Sequence, residues 1–152
     1  MAVLACVPGL TQANDNTLKV ALVAEPRLLE PSIDTIKPSL VIGMTMLEPL
    51  TMNTAEGGYV PWLAESWTAI DQNRWRLTLK KGVQFHNGEQ FNADTVLYSL
   101  GVFQNTQGGA RGWYSYISGV EKVSEFEVDL ITESPTTTLP ATLAFLFMFP
   151  PK

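Results

Sequence analysis

Residues 61–100 read PWLAESWTAIDQNRWRLTLKKGVQFHNGEQFNADTVLYSL. Trp67, Ala69 and Ile70 lead into a turn at Asp71-Gln72-Asn73, and Arg74 to Leu79 lead out of it. In the outgoing run Trp75, Leu77 and Leu79 alternate with Arg74, Arg76, Thr78 and Lys80. A period of two puts apolar side chains on one face and charges on the other, the pattern of a half-buried antiparallel strand. Lys81-Gly82 closes the strand, and Phe85-His86-Asn87-Gly88 makes a second tight turn in which Gly88 is free to take a positive φ. A helix follows, with Asn92 as N-cap and the Asp94 carboxylate opposing the positive end of the helix dipole. Ala93, Val96 or Leu97, Leu100 and Phe103 share one stripe of that helix. The stretch predicts a hairpin packed on a helix, and nothing in it looks catalytic.

Upstream, Leu18 to Val23 alternates and then turns apolar, which suits a strand entering a sheet. Pro26, Pro31 and Pro38 forbid a regular helix across Arg27 to Lys37, so that segment is a polar loop offering Ser32, Asp34, Thr35 and Lys37. Ser39 to Leu50 has helical spacing, with Glu48 before Pro49 at its end. Met44, Met46 and Met52 read either as an adaptable binding surface or as core filler. Leu50 to Asn53, a turn at Glu56-Gly57-Gly58, and Tyr59-Val60 form a small hairpin.

Downstream, Asn105 to Gly112 is a Gly- and Gln-rich loop leading to Trp113-Tyr114-Ser115-Tyr116. Such an aromatic cluster suits contact with a peptide or organic ligand, and equally suits capping a core. Val120 to Val123, a turn at Ser124-Glu125, and Phe126 to Ile131 predict another hairpin. Thr136 to Leu146 predicts a helix with Pro140 in its first turn, where proline is tolerated.

Bulk properties narrow the function. With 152 residues, 45% of them hydrophobic, the chain is long enough to bury a single-domain core. A net charge of −5 argues against an electrostatic grip on nucleic acid. The single cysteine excludes an internal disulfide and a Cys-rich zinc site. No apolar run approaches the roughly 18–20 residues that span a bilayer. His86 is the only histidine; lacking a second ligand cluster it predicts no metal site, and fits a turn whose ring hydrogen-bonds locally. Glu65 with Asp71 could be offered as a glycosidase pair, but they flank a hairpin strand and read as solvated. G-x-S-x-G, a P-loop and G-x-G-x-x-G are all absent. No motif supports an enzyme, and no cofactor is expected. The apolar N-terminus, with small residues at Thr11-Gln12-Ala13, reads as the tail of a secretory signal peptide cut after Ala13. Val3-Leu4-Ala5-Cys6 as a lipoprotein box acylated at Cys6, or an ordinary ordered arm, are the alternatives.

Several of these pieces, in this order, resemble the signature region of the bacterial extracellular solute-binding proteins of family 5. They are Leu63-Ala64-Glu65-Ser66-Trp67, Leu77 to Val83, Phe85-His86-Asn87-Gly88 and Phe91 to Leu100. The resemblance extends to Leu29-Glu30-Pro31 upstream and Phe149-Pro150-Pro151-Lys152 downstream, and covers roughly the first third of a protein of that family. It implies an α+β chain forming part of a type II periplasmic-binding-protein fold. Residues 1–17 would be the signal tail or arm, 18–40 the first strand and cleft-edge loop of lobe I, 41–149 an accessory subdomain, and 150–152 a truncated return to lobe I. It also implies a monomeric, non-catalytic, periplasmic receptor (membrane-anchored if Cys6 is lipidated) that passes short peptides to an ABC permease. Nickel chelates, opines and oligosaccharides are the other solutes of the family, and a structural or protein-interaction module is the alternative of a different class. By the same resemblance Thr35, Ile36 and Lys37 pass along the ligand cleft, although a solvated loop reads them as well, and Trp113 and Tyr114 reach toward it. On this reading the 152-residue chain alone binds no solute measurably in calorimetry, because a tight site needs both walls of the cleft.

Overall fold

The computed structural model describes residues 19–152. In chain order the elements are α1 (Lys37–Met46), β1 (Thr51–Asn53), β2 (Tyr59–Pro61), β3 (Ala64–Ala69), β4 (Arg74–Leu79) and α2 (Ala93–Asn105). They are followed by α3 (Arg111–Tyr114), β5 (Ile117–Ser124), β6 (Glu127–Thr132) and α4 (Leu139–Leu143). β3 and β4 are the arms of the hairpin read from the sequence, paired so that Trp67 faces Leu77 and Ala69 faces Trp75. Their turn is an Asx turn: Asp71 accepts from the Asn73 amide, and Ile70 and Asp71 donate to the Arg74 carbonyl. Gly88 takes φ 87°, as its turn requires.

The sheet order is β3-β4-β6-β5, antiparallel throughout. Leu77 stands opposite Val128, and Trp75 opposite Leu130. Leu77, Leu79, Val128 and Leu130 are buried on one face. α2 covers that face, burying Ala93, Val96, Leu100 and Phe103 beside Phe91. The helix begins in a reciprocal cap: the Asn92 side chain accepts from the Asp94 and Thr95 amides while Thr95 Oγ1 accepts from the Asn92 amide. Lys122 reaches Asp94 at 2.8 Å and pins β5 to the start of the helix.

The opposite face of the sheet is not simply solvated. Asp129, directly across from Arg76 and from Glu121, is only 2% exposed, although its face carries the charges. Arg76 and Arg74 both donate to it, at 2.8 and 3.1 Å, and Arg74 also meets Glu121. The Arg76 hydrogen bond leads in holding the Asp129 carboxyl below its ordinary range, with Arg74 adding to it and burial opposing.

Four expectations are corrected. Lys19 to Val23 forms no strand; Val20 and Val23 are exposed and no described segment runs beside them to complete a ladder. Leu18, like the signal-tail and Cys6 readings, lies outside the described residues. The helix expected over 39–50 is α1, which starts at Lys37 with Pro38 in its first turn and ends at Met46. Leu47 is already extended and Glu48 precedes Pro49, whose ring disfavours a helical predecessor. The helix expected over 136–146 shrinks to α4, because Phe147 pairs antiparallel with Pro49 and the Met148 amide donates to Glu48. The loop expected over 105–112 is trimmed at both ends by α2 and α3, leaving 106–110.

Candidate functional site

The segment after Pro31 is organised by a buried carboxylate. Asp34, 3% exposed, accepts from Ser39 Oγ at 2.6 Å, from Arg27 at 3.2 Å, and from the amides of Leu28 and Ile36. Ser39 lies in the first turn of α1, so Asp34 ties the incoming loop to that turn. These donors, Ser39 first, lower its pKa from 3.8 to about 2 against the opposing effect of burial. Glu30 adds a second tie by accepting from the Ser32 hydroxyl at 2.7 Å. Thr35 and Ile36 are half-buried and Lys37 is exposed at the helix start.

The loop 106–110 docks onto this segment. The Gly109 amide donates to the Ile33 carbonyl at 3.1 Å. A Cβ on Gly108 would lie 2.2 Å from Ile33 Cα, and one on Gly109 would lie 2.8 Å from Thr35 Oγ1. At Gly108 backbone therefore packs directly on backbone, which only glycine permits, while Gly109 abuts the Thr35 side chain. Thr35 thus touches the loop that leads into α3, the element that carries Trp113, and Ile36 and Lys37 follow Thr35 into α1. Trp113 is exposed and meets the Phe145 ring edge-on at 5.8 Å. With Leu40, Ala141, Thr142 and Phe145 it lines an open groove of about 360 Å³. Leu40 lies one turn beyond Ile36, whose carbonyl accepts its amide.

Tyr114 does not join this face. It is fully buried, stacked edge-on against Phe103 at 5.0 Å, so the aromatic cluster splits between core and surface. Burial pushes its phenol pKa far up, and its hydroxyl has no partner among the described residues. Tyr116, half-buried, donates to Thr142 Oγ1 at 2.8 Å and fixes α4 against the same aromatic segment.

A second cleft, of about 600 Å³, opens between the end of α1 and the turn at Phe85 to Gly88. Met44, Met46, Glu48, Phe85, His86 and Met148 are on its walls. Met44 and Met46 are exposed there while Met52 sits half-buried in β1, so the three methionines share no single role. The turn is held by Asn87 and Glu89, not by the His86 ring, which is exposed. Glu65 and Asp71 line neither this cleft nor the groove. Among the described residues no cluster of three His, Cys, Asp or Glu side chains is placed to hold a metal ion.

Sequence reading missed Asp34 as the anchor, the Gly108 contact, and Leu40 and Phe145 as walls of the groove. The adjacent glycines were the available signal, because Gly-Gly in a loop marks either a turn or a close backbone approach. Nothing local could name Ile33 and Thr35 as the surface approached.

Comparison with known proteins identifies the fold and the family. The chain is 31% identical over 139 residues to the nickel-binding periplasmic protein of Escherichia coli, an alignment covering 88% of this chain and 26% of that one. Among solved structures, the oligopeptide-binding protein AppA of Bacillus subtilis, in complex with a nonapeptide, superposes with TM-score 0.77 and 26% identity. That match covers 85% of this chain and 26% of AppA. NikA of Brucella suis, in complex with Fe(III)-EDTA, gives TM-score 0.70 and 27% identity over 84% of this chain and 26% of that one. The chain thus spans about a quarter of the length of these relatives, and its α+β architecture is part of the type II periplasmic-binding-protein fold. The family model for bacterial extracellular solute-binding proteins, family 5 Middle, matches residues 58–152, and the chain belongs to that family.

Proposed function

We propose that the protein is the extracytoplasmic substrate-binding component of an ABC importer. It captures short peptides between two lobes and delivers them to a membrane permease. Residues 18–40 belong to the first lobe, 41–149 form the accessory subdomain, and 150–152 return toward that lobe. This chain supplies one wall of the cleft through Thr35, Ile36, Lys37 and Trp113. Tyr114 is not carried into the wall, because its ring is in the core. The observation that carries the reading is the docking of Gly108 and Gly109 on Ile33 and Thr35, which brings two candidate segments far apart in sequence to one face.

The logic is closure rather than catalysis. A solute touching both lobes stabilises the closed form by its differential contacts, and the permease recognises that form. A micromolar site is worth about 8 kcal/mol, and a wall retaining half of that binds at about millimolar strength. Periplasmic location is supported by the relatives, which include the nickel-binding periplasmic protein and the periplasmic oligopeptide-binding protein OppA of Escherichia coli. Among the described residues no helix is long and apolar enough to cross a membrane. The nickel-binding relative makes a metal chelate the second reading. A bare cation is disfavoured at a wall where Lys37 is exposed and has no anionic partner among the described residues.

Deleting the gene in its source organism tests the function. We expect uptake of short labelled peptides to fall while amino-acid uptake is unchanged. Unaltered import of peptides and of nickel alike would sink the proposal.

A further inference from the structure

The groove beside the wall carries a charge pattern that narrows the solute. Among the described residues, Arg27, Arg74, Arg76, Lys80, Lys81 and Lys122 each sit against a carboxylate or an aromatic ring, whereas Lys19, Lys37, Arg111 and Lys152 have no such partner. Of these four, Lys37 and Arg111, both exposed, belong to the two docked segments. They lie two residues beyond Thr35 and Gly109, the pair whose contact joins the two segments. The protein as a whole has net charge −5, yet this junction carries two unpaired cations. Beside it, Leu40, Trp113 and Phe145 expose apolar surface in the groove of about 360 Å³, and no acidic side chain lines it. That volume falls at the lower end of small-ligand pockets, about 300–1,000 Å³, and suits one side chain rather than a whole ligand.

We propose that this groove receives an apolar side chain whose adjoining carboxylate is held by Lys37 and Arg111. The solute is then a short peptide with a free carboxyl end at an apolar residue. The inference rests on the reading of this face as a cleft wall. An apolar side chain gains by leaving water in the groove, and two cations beside it favour an anion over an amide or an amine.

The probes are Ala-Ala-Phe and its C-terminal amide, titrated at millimolar concentration into the isotopically labelled chain and followed by NMR. Ala-Ala-Phe is expected to move the Trp113 indole and the Leu40 and Phe145 signals. The amide is expected to bind about fivefold more weakly, the combined effect of two solvent-exposed ion pairs. Substituting Lys37→Ala and Arg111→Ala together is expected to abolish the difference between acid and amide. Equal binding of acid and amide by the unsubstituted chain overturns the proposal, as does a preference that survives both substitutions. If peptides shift Thr35 and Ile36 but leave Trp113 and Phe145 unmoved, the groove assignment falls and the wall reading stands. If no peptide shifts any of these residues, the wall reading itself falls.

Discussion

Replacing Gly108 with alanine should unseat the wall. The added Cβ would lie 2.2 Å from Ile33 Cα, 2.6 Å from the Ile33 carbonyl oxygen and 2.7 Å from that of Ser32. Ordinary carbon contacts lie at about 3.5–4.0 Å, so the loop must retreat by more than about 1 Å. All three neighbours are backbone atoms, so no side chain can swing aside. The retreat breaks the hydrogen bond from the Gly109 amide to Ile33, worth about 1 kcal/mol, and adds an overpacking cost of about 1–3 kcal/mol. A total of about 2–4 kcal/mol lowers Tm by about 10 °C in a chain of this size. Gly101→Ala is the control, since a Cβ there meets nothing within 4 Å and the position is inside α2. It should stabilise by about 0.5–1 kcal/mol. Circular dichroism gives both Tm values, and amide exchange at Gly109 reads the contact itself. A Gly108→Ala chain with unchanged Tm and a still-protected Gly109 amide would refute the reasoning.

Asn92→Ala removes the side-chain half of the α2 cap and should cost about 1 kcal/mol, read as a drop of a few degrees in Tm; an unchanged Tm would mean that the cap is replaced by solvent without loss. The carboxyls of Asp34, lowered to about 2, and of Asp129 both favour the folded state when ionised. Their contribution is complete above the unfolded carboxylate pKa of about 3.9 and disappears as pH falls toward the folded values. Stability should therefore drop between about pH 4 and 2, and Asp34→Asn should make that slope shallower; identical slopes would contradict the role given to Asp34. Thr51→Val leaves the buried Pro140 carbonyl without its hydroxyl donor and should cost about 1–3 kcal/mol in urea unfolding, with a small effect arguing that the α4 end relaxes.

The β3–β4 hairpin and α2 were legible because each is written locally: alternation in Arg74 to Leu79, an Asx turn at Asp71, an N-cap at Asn92. The neighbour of β4 was not, because nothing in Glu127 to Thr132 says that it pairs with β4 as well as with β5. The same long-range pairing hid Asp129, so Arg74 and Arg76 read as solvated although they share a buried carboxylate. Helix ends were misplaced where tertiary pairing won, at Leu47 to Pro49 and at Phe147. For the site, Thr35 to Lys37 and Trp113 were candidates named by resemblance, and what joins their segments is a glycine contact with no one-dimensional trace. Tyr114 was misjudged because aromatic tips at adjacent positions of a short helix point to different surroundings, one into the core and one out.

The most direct test of the wall is where a bound peptide touches. Short peptides carrying a photoreactive benzophenone should label residues 33–40 and 108–113, and an excess of unlabelled peptide should suppress that labelling. Crosslinks confined to the second cleft, at residues 84–91, would contradict the account.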